Sequence, residues 1–209
     1  LEIADRVELS RLDPRRYNVV CLGGQRFEFA SGPEAFIERM ADYFPSQRDN
    51  LSRYCRLVDR ISAASSLHTL KYGQTDDALT AEYQLRSVND VIESLTPDPL
   101  LRKVLVGDLP LYAAVRDKTP FSVHAFVRDF YGRSAFRFVG GSDSLVRALT
   151  DVMRRHGGEI RTRARVTRIL CDTTHATGVE LDSGERLVTD YVISATHPMR
   201  TMEMLGDTH

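Results

Sequence analysis

Four side chains that can take part in acid or base chemistry lie near the predicted end of one helix: His124, Asp129, Tyr131 and Arg133. Such groups move protons when they lie within hydrogen-bond reach of a reacting atom. Their spacing alone does not support that role, because a single histidine among aromatic residues is usually structural and an arginine at a helix end is usually solvated. His197, which precedes Pro198, is no stronger a candidate. The sequence therefore leaves the catalytic residues unknown.

Glycine pairs divide the second half of the chain. Gly140-Gly141 leads into an amphipathic stretch, Gly157-Gly158 ends it, and short apolar runs follow as far as Ile193-Ser194-Ala195-Thr196. A phosphate-binding turn of the G-x-G-x-x-G type needs a third glycine at a fixed offset, and the sequence contains no such turn. We therefore interpret Gly140-Gly141 as a turn before a helix.

Three cysteines, Cys21, Cys55 and Cys171, lie far apart and form no C-x-x-C pair. An odd and scattered set is typical of a reducing compartment and of small buried residues. We predict neither a disulfide framework nor a metal site.

The composition is that of a globular protein, with 209 residues of which 42% are hydrophobic and 27% charged. The net charge of −1 argues against nucleic acid as a partner, since phosphate binding needs a basic excess. No apolar run approaches the roughly 18 residues that indicate a membrane-spanning helix, and the first residues lack the pattern of a signal peptide. We predict a cytoplasmic protein, leave peripheral contact with a membrane open, and infer no oligomeric state.

The first 135 residues are predicted to be mainly helical, after an N-terminal β-hairpin. Residues 18–22 and 25–29 flank Gly23-Gly24, which can take the positive φ angles of a tight hairpin turn. Helical patterns follow, with predicted starts at Pro33, Pro45, Asp76-Asp77, Ser87, Thr96-Pro97 and Thr119-Pro120. The last of these helices is expected to stop at Gly132.

From Gly140 the pattern changes to one helix followed by short strands. Strands are predicted at 159–162, 164–171, 177–182, 185–188 and 190–195, with a turn at 182–185. Val166 and Ile169 differ in side-chain parity, so one strand either bulges or is covered on both faces. The predicted fold class is α+β, with a helical region over 1–135 and a helix plus a small antiparallel β-meander over 136–209.

The order of elements from Phe138 to Pro198 resembles the middle-to-late part of FAD-dependent oxidoreductases of the phytoene desaturase, carotenoid isomerase and retinol saturase type. The resemblance implies that Val166 corresponds to a valine whose backbone meets the FAD adenine. It also implies that Ala195 and Thr196 lie at a strand end that approaches the cofactor. Val166 could equally be an ordinary buried strand residue. The resemblance extends weakly to the front, so 1–135 would be a substrate-binding region and 136–209 a partial FAD-binding domain.

Two parts of an FAD site are missing from the sequence: the glycine-rich turn that receives the pyrophosphate, and the acidic residue about 20 positions later that binds the ribose. The chain also begins without methionine and ends just after a short helical pattern. We therefore expect a central fragment of an α/β FAD-binding oxidoreductase. Its full-length parent would bind FAD, whereas the fragment would not retain FAD tightly and would be inactive alone.

The resemblance implies that the parent enzyme desaturates, saturates or isomerises an apolar polyene or isoprenoid. In such enzymes the flavin supplies the hydride chemistry while the protein positions the substrate, so few catalytic side chains are needed. Candidates for the substrate-facing wall are Phe36, Phe121, Phe126 and Phe130, and ordinary core packing is the alternative for each. Two other functions stay open: a flavin-free module that binds an apolar ligand or a partner, and an amine-oxidase-like flavoprotein.

Overall fold

Helices and small antiparallel sheets make up the fold, which confirms the predicted α+β class. The computed structural model describes residues 2–64 and 76–206. It divides into two units, Ala4–Leu145 and the residues from Val146 onward together with the first three residues of the chain. Residues 65–75 belong to the region predicted to be mainly helical, and they lie outside the described residues.

The bounds of the elements follow in chain order. The strands are β1 (Leu9–Arg11), β2 (Asn18–Leu22), β3 (Gln25–Phe29), β4 (Phe136–Phe138), β5 (Val166–Cys171), β6 (Ala176–Leu181) and β7 (Arg186–Val188). The helices are α1 (Pro33–Tyr43), α2 (Arg48–Ala64), α3 (Asp77–Leu85), α4 (Val88–Leu95), α5 (Pro99–Leu105), α6 (Phe121–Arg133), α7 (Asp143–Arg155) and α8 (Pro198–Leu205). Short 3-10 turns cover Pro45–Gln47 and Leu109–Tyr112.

The N-terminal hairpin has the predicted register. β2 and β3 are antiparallel, with Asn18 opposite Phe29 and Leu22 opposite Gln25. Gly23 and Gly24 both have positive φ, 56° and 81°, which is the backbone of a primed two-residue turn and is easily adopted by glycine. The alternation of β3 then directs Phe27 and Phe29 into the core.

Helix α2 provides the central surface of the Ala4–Leu145 unit. Its buried residues Leu51, Tyr54, Val58 and Ile61 recur every three or four positions, so they form one face of the helix. α1 packs on one side of α2 and α6 on another. Aromatic side chains from the hairpin and from α1 fill the space between them, with the rings of Phe29 and Phe36 edge to face at 5.3 Å.

Two of the predicted helix starts are wrong in detail. α5 begins at Pro99, not at Thr96-Pro97, because the Asp98 carboxylate accepts hydrogen bonds from the N–H groups of Leu100 and Leu101, both at 2.9 Å. α6 begins after Pro120 without a side-chain cap, since the Thr119 hydroxyl instead accepts from the backbone N–H of Val115. The predicted stop at Gly132 is also wrong, because α6 continues through it to Arg133.

A pair of short strands was not predicted. β1 pairs antiparallel with β4, with Leu9 opposite Phe138 and Arg11 opposite Phe136. Each strand has three residues, which is too short for alternation of apolar and polar residues to be recognised in a sequence. The pairing joins positions near the start of the chain to the segment that follows α6.

The unit from Val146 contains the predicted β-meander. β5, β6 and β7 form an antiparallel sheet in that order, and the turn at Asp182–Glu185 has Gly184 at φ 85°. The register of β5 against β6 shifts between Val166 and Arg168, which is a bulge of the kind that the parity mismatch predicted. Gly178 lies close to β7, since a Cβ atom there would be 2.3 Å from the Leu187 carbonyl oxygen.

The strands predicted at 159–162 and 190–195 are wrong for this structure. Both segments are irregular, and no strand pairs with either of them among residues 2–64 and 76–206. A strand needs a neighbour for its backbone N–H and C=O groups, so an apolar run alone does not make one. In the same described ranges, no helix combines the length and the apolar character needed to cross a membrane.

Candidate functional site

The residues predicted to contact FAD line one groove. Val166 begins β5, whereas Ala195 and Thr196 precede α8, yet all three border the same depression of about 690 Å³. The rest of the lining comes from the residues just before β5, from β5, β6 and α8, and from the extended segment before α8, namely Ala164, Arg165, Thr167, Ile169, Val179, Val192, Ile193, Ser194, Arg200, Glu203 and Met204. Its size is within the range of about 300–1,000 Å³ that is usual for ligand sites.

Hydroxyl groups cluster at one part of this groove. The Ser194 hydroxyl lies 2.7 Å from that of Thr201 and 3.0 Å from that of Thr196, and the two threonine hydroxyls are 3.1 Å apart. The cluster fixes the segment before α8 against the first turn of that helix. His197 has a structural role in the same turn, because its Nδ1 accepts a hydrogen bond from the Met199 N–H and so caps α8.

A second candidate site lies in the Ala4–Leu145 unit, around the buried side chain of Arg128. Nε of Arg128 donates to the Tyr54 hydroxyl at 3.2 Å, and Nη1 donates to the Tyr17 hydroxyl at 2.9 Å and to Oδ2 of Asp108 at 3.2 Å. The guanidinium carbon also lies 4.6 Å from the ring centre of Phe29. Arg128 and Asp108 are both buried, so their charges compensate each other away from water.

His124 belongs to the same buried network. Its Nε2 lies 2.9 Å from the Tyr54 hydroxyl and its Nδ1 lies 2.8 Å from the Tyr112 hydroxyl. Each ring nitrogen thus has a hydroxyl partner, which the protonated nitrogen donates to and from which the other nitrogen accepts. Burial lowers the pKa of His124 to about 4, so the ring is neutral at neutral pH.

The acid and base residues singled out from the sequence do not form one catalytic group. His124 is fully buried and hydrogen-bonded on both nitrogens. Arg133 donates from Nε to Oδ2 of Asp129 at 2.8 Å and lies near Asp59, with 3.7 Å between the charged atoms. Tyr131 is partly exposed and packs its ring against Phe130. The arrangement provides ion pairs and a buried hydrogen-bonded ring.

A cavity of about 280 Å³ adjoins Arg128 and contains part of the predicted substrate wall. Phe36 is among its lining residues, which are Tyr17, Ala30, Gly32, Pro33, Phe36, Tyr54, Cys55, Val58, Asp59, Arg128, Asp129, Gly132 and Arg133. The other three candidates do not line it. Phe121 is a fully buried core residue, Phe130 is 61% exposed, and Phe126 stacks on Phe130.

The cysteines occupy three different environments. Cys55 lines the cavity, and burial raises the pKa of its thiol to about 12. Cys171 is partly buried at the end of β5. Cys21 is exposed, which corrects the prediction that the cysteines are buried, and the reason is that β2 alternates and turns Val20 inward instead. The three thiols are free.

The glycine pair before α7 is a turn, as interpreted from the sequence. Gly140 and Gly141 have φ of 77° and 85°, and the Gly141 carbonyl accepts from the Ser144 hydroxyl at 2.9 Å. Residues other than glycine rarely take such positive φ angles. The pair therefore sets the direction of the chain into α7.

Sequence reasoning missed the residues that hold the buried network. Tyr17, Tyr54, Asp108 and Arg128 come from four separate segments, so no spacing pattern connects them. One indication was present: Arg128 lies four residues after His124 on the same helix, and both therefore share the face that enters the core.

Comparisons with known proteins give a family for this chain. A family model described as flavin containing amine oxidoreductase matches residues 16–203. An all-trans-retinol 13,14-reductase of Rattus norvegicus is 28% identical over 184 residues, which cover 81% of this chain and 30% of the relative. A lycopene-forming phytoene desaturase of a Paracoccus species is 26% identical over 208 residues, covering 92% of this chain and 40% of the relative.

A third relative is a 4,4'-diaponeurosporene oxygenase of Staphylococcus aureus, 26% identical over 165 residues that cover 75% of this chain and 33% of the relative. The chain thus spans between 30% and 40% of the length of these curated relatives.

Proposed function

This chain belongs to the flavin containing amine oxidoreductase family, and on that premise we propose that it is the central part of a longer FAD-dependent oxidoreductase that acts on an apolar polyene or isoprenoid. The reaction would be a desaturation, saturation or isomerisation. Relatives named for retinol and for carotenoid substrates support this substrate class. They favour it over a flavin-free binding module.

The groove around Val166 is the proposed site for the adenine side of FAD. The observation that carries the proposal is that Val166 borders the same groove as Ala195 and Thr196, although it is far from them in sequence. The lining fits an adenosine group, because the side chains of Val166, Val192 and Ile193 offer apolar surface to a flat ring. The nearby hydroxyls can bind sugar oxygens.

The sequence lacks the glycine-rich turn that usually binds the phosphate side of FAD. Pyrophosphate is usually bound by a glycine-rich turn at a helix N-terminus, where backbone N–H groups and the helix dipole favour negative charge. Gly23-Gly24 belongs to the hairpin, and Gly140-Gly141 precedes α7 but lacks the third glycine that such a turn needs. We propose that another part of the longer protein contributes it, and that these 209 residues alone retain FAD weakly.

The region 1–135 is the proposed substrate-binding part, and 136–209 the proposed partial cofactor domain. FAD, when bound, accepts or donates a hydride, and the protein's task is to hold the apolar substrate away from water. Aromatic side chains in the helical region are suited to that task. Peripheral contact with a membrane would give the enzyme access to such substrates.

The test uses the complete protein that contains this sequence, purified and examined by absorbance. The expected result is a flavin spectrum, with a bound flavin that is reoxidised or reduced when retinol or a carotenoid is supplied, and no change with a primary amine. A complete protein that stays colourless and cannot be reconstituted with FAD would contradict the proposal. A response to the amine alone would place the enzyme with the amine oxidases.

A further inference from the structure

The cavity beside Arg128 has a polar group at its buried end. Arg128, Phe36 and Tyr54 are almost fully buried, whereas Asp59 and Arg133, which also line it, are largely exposed. The cavity therefore extends from the solvent into the core of the Ala4–Leu145 unit. Its volume of about 280 Å³ is enough for a small organic molecule.

Arg128 has hydrogen-bonding capacity left for a ligand. A guanidinium carries five N–H donors, and three of them are used, one from Nε and two from Nη1. No hydrogen bond from Nη2 is found among residues 2–64 and 76–206, and Arg128 lines the cavity. An acceptor inside the cavity can therefore form a charge-assisted hydrogen bond with Nη2.

Tyr17 adds a second donor on the same wall. Its hydroxyl oxygen accepts from Arg128, and no hydrogen bond donated by this hydroxyl is found in the described part of the chain. Burial raises the pKa of Tyr17, which keeps the phenol protonated. Arg128 and Tyr17 can therefore both donate a hydrogen bond to an oxygen atom at the buried end of the cavity.

The carboxylates of the cavity are engaged elsewhere. Asp129 accepts from Arg133, and Asp59 lies 3.7 Å from the same guanidinium, so the exposed end carries ion pairs. Between the two ends the walls are apolar, with Phe36, Val58 and Pro33. The order from inside to outside is thus donor, apolar wall and ion pair.

We propose that this cavity binds the oxygen-bearing end of an apolar molecule, with a carbonyl or carboxylate oxygen accepting from Nη2 of Arg128 and from the hydroxyl of Tyr17. The site lies within the Ala4–Leu145 unit, so it does not depend on the flavin groove. Its occupant needs a carbon chain that contacts Phe36 and Val58.

Three molecules of similar length test the chemistry by isothermal titration calorimetry with the full 209-residue chain: octanoate, 2-octanone and octyltrimethylammonium. We expect saturable binding of octanoate, of 2-octanone or of both, and none of the cation. Octanoate alone would identify a carboxylate, and 2-octanone alone a neutral carbonyl. Equal binding of all three, or binding of none, would overturn the proposal.

The location is tested through Cys55, which lines the cavity. In a chain that carries Cys21→Ser and Cys171→Ser, the remaining thiol is modified with N-ethylmaleimide at alkaline pH, because its raised pKa makes the reaction slow at neutral pH. The reaction is followed in the presence and absence of the probe that binds. Occupancy should slow the modification in proportion to saturation. An unchanged rate at saturation would show that the probe binds elsewhere and would contradict the assignment.

Two substitutions separate the oxygen contact from the space around it. Arg128→Lys keeps the positive charge beside Asp108 but loses the planar fork, and the affinity should fall about tenfold or more. Gly132→Phe adds a ring to the cavity wall at a position where a Cβ has no atom within 4 Å, and should abolish binding. Gly132→Ala is the matched control and should bind as the unmodified chain does. Unchanged binding by Gly132→Phe, with its circular dichroism spectrum intact, would refute the proposal even if Arg128→Lys failed to fold.

Discussion

The Ala4–Leu145 unit buries many more apolar side chains than the unit that starts at Val146. The first buries a continuous cluster of aromatic and aliphatic residues contributed by the hairpin and helices α1 to α6. Among the described residues of the second, the buried apolar side chains are Ala148, Ile169 and Leu181. Side chains such as Tyr191 and Ile193 are instead almost fully exposed.

This difference indicates where stability comes from. Burial of apolar surface contributes roughly 25 cal/mol per Å², so the first unit has the larger share of the driving force for folding. The second unit relies on the hydrogen bonds of its three-stranded sheet and on exposed ion pairs such as Arg161 with Glu185, which contribute little. Of its exposed apolar residues, Ile193 lines the proposed cofactor groove, where a bound cofactor would cover it.

The largest expected effect is in the buried charge pair of the first unit. Asp108→Ala leaves Arg128 without its carboxylate, which should lower the free energy of unfolding by about 4 kcal/mol. Urea unfolding followed by tyrosine fluorescence reports this unit, because every tyrosine except Tyr191 precedes Leu145. The control is Asp117→Ala, whose pair with Arg116 is exposed and should matter by at most about 0.5 kcal/mol. Equal losses of unfolding free energy in the two variants would show that the buried pair stabilises the fold no more than the exposed one.

A matched pair of isoleucines compares the units directly. Ile61 is 2% exposed in α2, and Ile193 is 97% exposed beside the groove. Ile61→Ala should lower the free energy of unfolding by about 3.5 kcal/mol through lost burial and a cavity, whereas Ile193→Ala should change it by less than about 0.5 kcal/mol. Urea unfolding monitored by amide NMR signals measures each unit separately. A large loss for Ile193→Ala would mean that its side chain is packed.

The pH dependence of stability distinguishes the first unit in a third way. The pKa of His124 is lowered from 6.5 to about 4 in the folded chain, so between these values only the unfolded state binds the extra proton. Stability is therefore complete above pH 6.5 and declines as the pH falls to 4, by about 3 kcal/mol. The free energy of unfolding is measured against pH for the unmodified chain and for His124→Gln. Carboxylate titrations are common to both chains and drop out of the difference, which leaves the contribution of His124. Parallel pH profiles would refute a neutral buried ring.

The sequence predicted those parts of the fold that local patterns specify. The hairpin at Gly23-Gly24, the amphipathic face of α2 and the turn at Asp182–Glu185 all depend on residues close together in the chain. The prediction of a strand at 190–195 was wrong, because a strand forms only beside a neighbouring strand, which a local sequence pattern does not reveal.

The two candidate sites differ in the same respect. Val166, Ala195 and Thr196 were singled out only through a family resemblance, and the structure brings them to one groove. The sequence did not predict a buried site at Arg128, because its partners Tyr17, Tyr54 and Asp108 are distant in sequence and become neighbours only after the helices pack. In a helical sequence pattern, an arginine that becomes buried cannot be told from one that stays in solvent.

The groove itself can be tested on the 209-residue chain by NMR titration with adenosine, which carries the adenine and ribose without the phosphates. We predict saturable shifts of the Val166, Ala195 and Thr196 signals and no comparable shifts in residues 4–145. Val166→Glu should abolish them, whereas Val188→Glu, an exposed position on the same sheet outside the groove, should not. Absent shifts, or shifts that survive Val166→Glu unchanged, would contradict the assignment of this groove to the adenine side of FAD.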